Sequence, residues 1–216
     1  MGQGHLARWS PVSGVVFVVL YVIAGVIFSD APAPSASDDA ILSYYAESGY
    51  QRKFAIAFLL TTIAAPFFLW FLGSLAARLR QAEGEPGWFS RIALVSGGAF
   101  VAVAFVGTAL SQFVPDAVNN DPDQFGLDPD IARLLTNAAY TLNSELAVPL
   151  AAPLVLATSL VFLRTGLLPR WVGWAGLAVT LVSFVGFLVG PTFLLVWILV
   201  VAVYLVRRAP RASASS

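Results

Sequence analysis

Between Arg170 and Arg207 the chain runs for 36 residues without one charged side chain. As a single helix this stretch would be about 54 Å long, far more than the roughly 30 Å apolar depth of a bilayer. Gly190-Pro191 falls near its middle. Glycine ends helices and proline begins them, so the pair predicts a tight turn between two membrane-crossing helices. Four more uncharged runs precede this one, at 9–29, 54–77, 92–115 and 146–163. Each has about the 20 apolar residues that a crossing helix needs. Six spans are therefore expected, near 10–29, 53–79, 90–114, 143–164, 170–189 and 191–207.

Composition supports lipid as the solvent. Only 11% of the residues are charged and 58% are hydrophobic, whereas soluble domains carry roughly 25% charge. The expected fold is all-α: one domain over residues 1–216, a polytopic membrane bundle of six transmembrane helices with a short outer amphipathic helix.

Charge orients the six spans. Cytoplasmic loops are rich in Lys and Arg. With the N-terminus inside, the inner segments hold Arg8, Arg78, Arg80, Arg91, Arg164, Arg170, Arg207, Arg208 and Arg211, and the outer ones only Arg52, Lys53 and Arg133. Ten of the twelve acidic residues fall outside, Glu83 and Glu85 being the exceptions. Both termini are therefore expected in the cytoplasm. The first apolar run, followed by Ala-Pro-Ala-Pro-Ser-Ala, has features of a cleaved signal peptide. It is longer than the usual apolar core of about 7–15 residues, and its removal would mismatch the ends, so it reads as an uncleaved helix.

Two outer connections are long. The first ends in a short helix that Ser37 can cap, Asp38 and Asp39 can favour in its first turn, and Gly49 can end. Its Ile41, Leu42, Tyr44 and Tyr45 would lie on the bilayer surface or on the bundle. The second runs from Pro115 to Asp130. There Asp128-Pro129 reads as an N-cap with proline at the first helical position, opening a helix that continues into the fourth span. Pro66, Pro149 and Pro153 lie inside spans, where they kink helices, and Gly97, Gly98, Gly173 and Gly176 permit close helix contact. Trp9, Trp88 and Trp171 fall at inner interfaces, while Trp70, Trp174 and Trp197 fall inside spans, where packing is expected.

The outer half of the fourth helix holds the most chemistry. Thr136, Asn137, Tyr140, Asn143 and Ser144 share a face by three-and-four spacing, Glu145 and Thr141 lie on a neighbouring face, and Ser111 and Gln112 close the third span opposite. Polar groups at membrane depth face the bundle interior or water. Asn137, Tyr140, Asn143, Ser144, Glu145 and Gln112 therefore form a candidate outward-opening pocket. The plain alternative places Glu145 in the headgroups, one membrane thickness from Arg164. The outer aspartates suggest calcium, but the run from Asp121 departs from an EF-hand at Phe125 and Ala132, so turns and caps explain them.

Several reaction classes lack their residues. The chain has no cysteine, which removes disulfides, iron–sulfur clusters and thiolate zinc sites. Its one histidine, His5, lies in the tail, so no Ser/His/Asp set can form. No phosphate-binding glycine loop is present. No cofactor or metal is expected, and a net charge of zero gives no pull toward nucleic acid.

The stretch Trp70-Phe71-Leu72-Gly73-Ser74-Leu75-Ala76-Ala77-Arg78-Leu79-Arg80, with Ala82-Glu83-Gly84 after it, resembles a family of six-span bacterial membrane proteins of unknown function, common in actinobacteria. Leu127-Asp128-Pro129, Ala157-Thr158-Ser159-Leu160 and Arg164-Thr165-Gly166-Leu167-Leu168-Pro169-Arg170-Trp171-Val172-Gly173-Trp174 extend the likeness. It implies six spans and a bacterial plasma membrane, and brings no activity. The leading expectation is a non-enzymatic protein that binds a lipid or apolar small molecule, or steadies a membrane-protein partner or a second copy of itself. A small permease and an intramembrane enzyme using Glu145 are the alternatives.

Overall fold

A computed structural model describes residues 10–28, 36–120, 126–185 and 189–208, and every regular element among them is a helix. His5, Arg8 and Trp9, residues 29–35, Asp121, Asp123 and Phe125 of the acidic connection, and Arg211 lie outside the described residues. In chain order the helices are α1 (Val12–Phe28), α2 (Asp38–Ala46), α3 (Ser48–Glu83), α4 (Trp88–Asn120), α5 (Pro129–Tyr140), a π-helical turn (Thr141–Leu146), α6 (Ala147–Thr165), α7 (Arg170–Val185) and α8 (Gly190–Arg207). Four stretches are long and apolar enough to cross a bilayer: Arg52–Glu83, Trp88–Val118, Pro129–Thr165 and Gly190–Arg207. Helices α1 and α7 are apolar but shorter.

Each neighbour runs antiparallel to the last, as the packing registers show. Phe17 stacks near Phe68 at 4.8 Å while Phe28 meets Phe54 at 5.3 Å, so α1 descends as α3 climbs. Phe68 meets Phe100 of α4, and Gly97 of α4 lies against Leu72. Helix α4 packs on the α5–α6 path through Gly107 against Asn143 and Ser96 against Leu150 and Leu154. Gly173 and Gly176 bring α7 onto Leu163 and Ser159 of α6. Trp197 of α8 donates its indole N–H to the Val172 carbonyl at 3.3 Å, and Gly14 against Ala202 joins α1 to α8. The four longer apolar stretches and the shorter α1 and α7 thus close a ring in chain order. One end of the ring carries Asp38, Asp128 and Asp130, the other Arg78, Arg80, Arg164, Arg170, Arg207 and Arg208. They are called the acidic end and the arginine end.

Local chemistry explains most boundaries. The Ser37 hydroxyl accepts from the Ala40 N–H, and the Asp128 carboxylate accepts from the Asp130 N–H at 2.8 Å, with Pro129 next, as the capping pattern predicts. The Glu83 carboxylate accepts from the Phe89 and Ser90 N–H groups at 3.1 and 2.9 Å, capping α4 from the preceding helix. Gly166, with φ +69°, ends α6 in the left-handed conformation that glycine permits.

Other boundaries differ from expectation. Gly49 does not end α2. The break falls at Glu47, which is extended, and Gly49 sits in the first turn of α3. Pro115 does not end the third long helix, because α4 continues through it to Asn120, with Val114 packed in a core beside it. Gly190-Pro191 is not itself the turn. Gly190 opens α8 and Pro191 occupies its first turn, with Val189 a turn residue before them. Trp70 and Trp174, expected to pack, are 56% and 65% exposed, and only Trp197 is buried. A Cβ on Gly98 would meet nothing within 4 Å, so Gly97 alone of that pair makes a close approach.

The fourth path bends where prolines remove donors. Pro149 cannot return an N–H to the Glu145 carbonyl, and the turn just before it is wide, with the Ala147 N–H bonded to Leu142, five residues back. Near Pro153 the Ser96 hydroxyl enters the ladder. It donates to the Leu150 carbonyl at 2.6 Å and accepts from the Leu154 N–H at 2.9 Å, bridging the two groups.

Two apolar cores result. The larger joins Phe17, Ala64, Phe68, Phe100, Ala104, Ala147, Val148, Leu154, Phe162 and Ile198. The smaller lies at the acidic end, where Ile41, Tyr44 and Tyr45 of α2 pack with Phe54, Val114 and Ala132. Helix α2 therefore lies on the bundle.

Candidate functional site

Between those cores the packing opens. Along α3 the smaller core holds Phe54 and the larger begins at Ala64, with Thr61 between them. Along α4 the larger ends at Ala104 and the smaller holds Val114, with Thr108 and Ser111 between. Along the fourth path Ala132 and Ala147 bracket residues 136–145. These intervening residues wall one cavity of about 770 Å³. Tyr21, Ala24, Gly25 and Phe28 of α1, and Tyr45 of α2, complete its wall.

Five of the six expected site residues line it: Asn137, Tyr140, Asn143, Ser144 and Glu145. The periodicity of the fourth helix brought the first four together. Glu145 joins them because the π turn spreads Thr141, Asn143, Ser144 and Glu145 around the same opening. Gln112 does not line the cavity. Its side chain turns back along α4 and donates to the Asp116 carboxylate at 2.8 Å, leaving Oε1 buried without a partner. Tyr21, Phe28, Tyr45, Phe54, Thr61 and Thr108 were not expected. Only the two threonines carried a signal, as polar residues inside otherwise apolar runs.

Four hydroxyls of the polar lining spend their protons within their own helices. Thr61, Thr108 and Thr136 donate to carbonyls four residues back in their own helices, and Ser111 to one three back. Asn143 donates its amide to the Ala139 carbonyl at 3.0 Å, and its Oδ1 is buried with no hydrogen-bond partner. Gly107 lets α4 reach this amide, since a Cβ there would stand 2.6 Å from Asn143 Nδ2. Glu145 is exposed and makes no ion pair among the described residues. Among those residues no cluster of His, Cys, Asp or Glu could hold a metal ion.

Helix α2 is fastened over the acidic side of the cavity. Arg133 donates to Asp38 at 2.6 Å, to the Ala36 carbonyl at 2.7 Å and to Asp130 at 3.0 Å. The Tyr45 phenol bonds to Thr136 at 3.1 Å, and burial raises its pKa while that bond acts the other way. Arg133→Met is expected to raise amide hydrogen exchange across residues 38–46 several-fold while leaving α6 and α8 unchanged. Equal protection of α2 in the variant would show that apolar packing alone holds it.

What fold and site define, among the described residues, is an all-helical bundle with an aromatic-walled cavity, partly polar in its lining, between two cores. No protein-family model matches the chain, and no curated protein or solved structure matches it significantly.

Proposed function

We propose that the chain is a six-span protein of a bacterial plasma membrane whose outward-facing cavity binds a lipid or an apolar small molecule without chemical conversion. The observation that carries this reading is the 770 Å³ cavity itself, placed between two close-packed cores and walled by Asn137, Tyr140, Asn143 and Glu145. Ligand sites are commonly clefts of about 300–1,000 Å³ with apolar walls and a few convergent polar groups, and this opening has that form. The six-span count is supported by the ring, which sets the shorter α1 and α7 in one layer with the longer helices. The arginine end suits the cytoplasm and the acidic end the outside. Glu145 lies nineteen residues from Arg164, about 29 Å along a helix, near the outer boundary of the apolar layer.

Native mass spectrometry of the protein extracted gently from its own membrane tests the proposal. The expected result is a bound mass of fixed stoichiometry that Asn137→Leu largely removes. Bare protein, or bulk lipid unaffected by that substitution, would defeat it.

A permease is the second reading, favoured by the bent path through the π turn, Pro149 and Pro153. It requires solute flux in proteoliposomes.

A further inference from the structure

Beyond the presence of a site, its lining has a definite charge and donor balance. Among the described residues no Lys, Arg or His lines the cavity, and Glu145 is the one charged residue that does. The three basic residues of the acidic end are engaged or turned elsewhere. Arg133 pairs with Asp38 and Asp130, Lys53 stands 5.0 Å over the Tyr50 ring, and Arg52 is exposed. The hydroxyls of Thr61, Thr108 and Ser111 spend their protons on backbone carbonyls and so keep only lone pairs to offer. Around these acceptors stand the rings of Tyr21, Phe28, Tyr45, Phe54 and Tyr140.

An unpaired carboxylate, free acceptors and aromatic faces all attract positive charge, and ring faces do so while staying compatible with apolar substituents. An anionic headgroup would meet the Glu145 carboxylate with no cation of the lining to offset it, and like charges repel. A neutral apolar molecule would draw nothing from that carboxylate. We infer that the occupant is a lipophilic organic cation, an amine or quaternary ammonium or phosphonium group with apolar substituents, its charge held between Glu145 and the Tyr140 ring. This inference rests on the cavity being a ligand site, as proposed above.

The test uses the full chain in nanodiscs of zwitterionic lipid, with empty discs subtracted. Radiolabelled tetraphenylphosphonium and tetraphenylborate, ions of nearly equal size and opposite charge, are the probes in equilibrium dialysis. Saturable binding of one phosphonium per chain is expected, with none of the borate. Glu145→Gln should weaken phosphonium binding about three-fold or more, because the one charged contact of the lining is lost. Tyr140→Phe should retain affinity and Tyr140→Leu lower it, because the ring face persists only in the first. Equal binding of both ions, or a Glu145→Gln variant with unchanged affinity, overturns the cation assignment. So does an absence of phosphonium binding while native mass spectrometry still finds a bound mass, and in that case the ligand site itself stands. If neither experiment finds an occupant, both readings fall.

Discussion

Gly176→Leu is expected to lower the melting temperature of the purified protein by about 5 °C or more, whereas Gly98→Leu leaves it within about 2 °C. A Cβ on Gly176 would overlap the Ser159 hydroxyl and stand 2.7 Å from the Trp197 indole nitrogen. Neither neighbour can yield easily. Ser159 is fully buried on α6, and Trp197 is 3% exposed with its N–H bonded to Val172. A larger side chain must therefore separate α7 from both α6 and α8, and overpacking of this kind costs about 1–3 kcal/mol. A Cβ on Gly98 meets no atom within 4 Å, so leucine there extends into open space. The measurement is intrinsic tryptophan fluorescence during heating, in one detergent for all variants. Equal melting temperatures for Gly176→Leu and the parent chain would show that the α6–α7–α8 packing is looser than these distances require.

That contrast also marks what could be read from the chain beforehand. Helix existence was legible because charge is excluded from long runs. The break between α7 and α8 was legible because 36 uncharged residues exceed one bilayer crossing. Which small residue makes a contact was not legible, since Gly97 and Gly98 are equivalent in sequence and differ only in the direction each faces. Termini were misplaced for a related reason. Gly49 has no positive φ, so it does not adopt the left-handed cap that its residue type suggests. Pro115 removes one helical hydrogen bond, yet α4 continues past it with Val114 held in the core under α2. In the site, 3.6-residue periodicity placed Asn137, Tyr140, Asn143 and Ser144 on one face, and all four line one cavity. Gln112, expected opposite them from its place at the end of the third span, turns instead to a carboxylate one turn away on its own helix, Asp116. Glu145 belongs to the wall through a π turn, whose only trace in the sequence is Pro149 four residues later.

The second large effect is expected at Ser96, and it links the bend of the fourth path to the site. Ser96→Ala removes the hydroxyl that bridges the Leu150 carbonyl and the Leu154 N–H. Each group left unpaired in the interior costs about 1–3 kcal/mol. The proline ring at 153 crowds the preceding turn, which hinders the direct bond from closing in its place. A fall in melting temperature of about 5 °C or more is therefore expected for Ser96→Ala alone. Adding Pro153→Ala should restore much of the loss, because a straightened α6 can form the direct bond without the hydroxyl. The two substitutions are then strongly non-additive, as residues that share one hydrogen-bond network are. Additive effects would mean that the serine and the proline act separately. Straightening α6 also re-aims the turn above it, where Asn143 and Glu145 face the cavity. The double variant is accordingly expected to be stable and yet to hold less ligand than the parent. If it retains full occupancy, the bend at Pro153 serves packing, and the placement of Asn143 and Glu145 rests on the π turn and Gly107 alone.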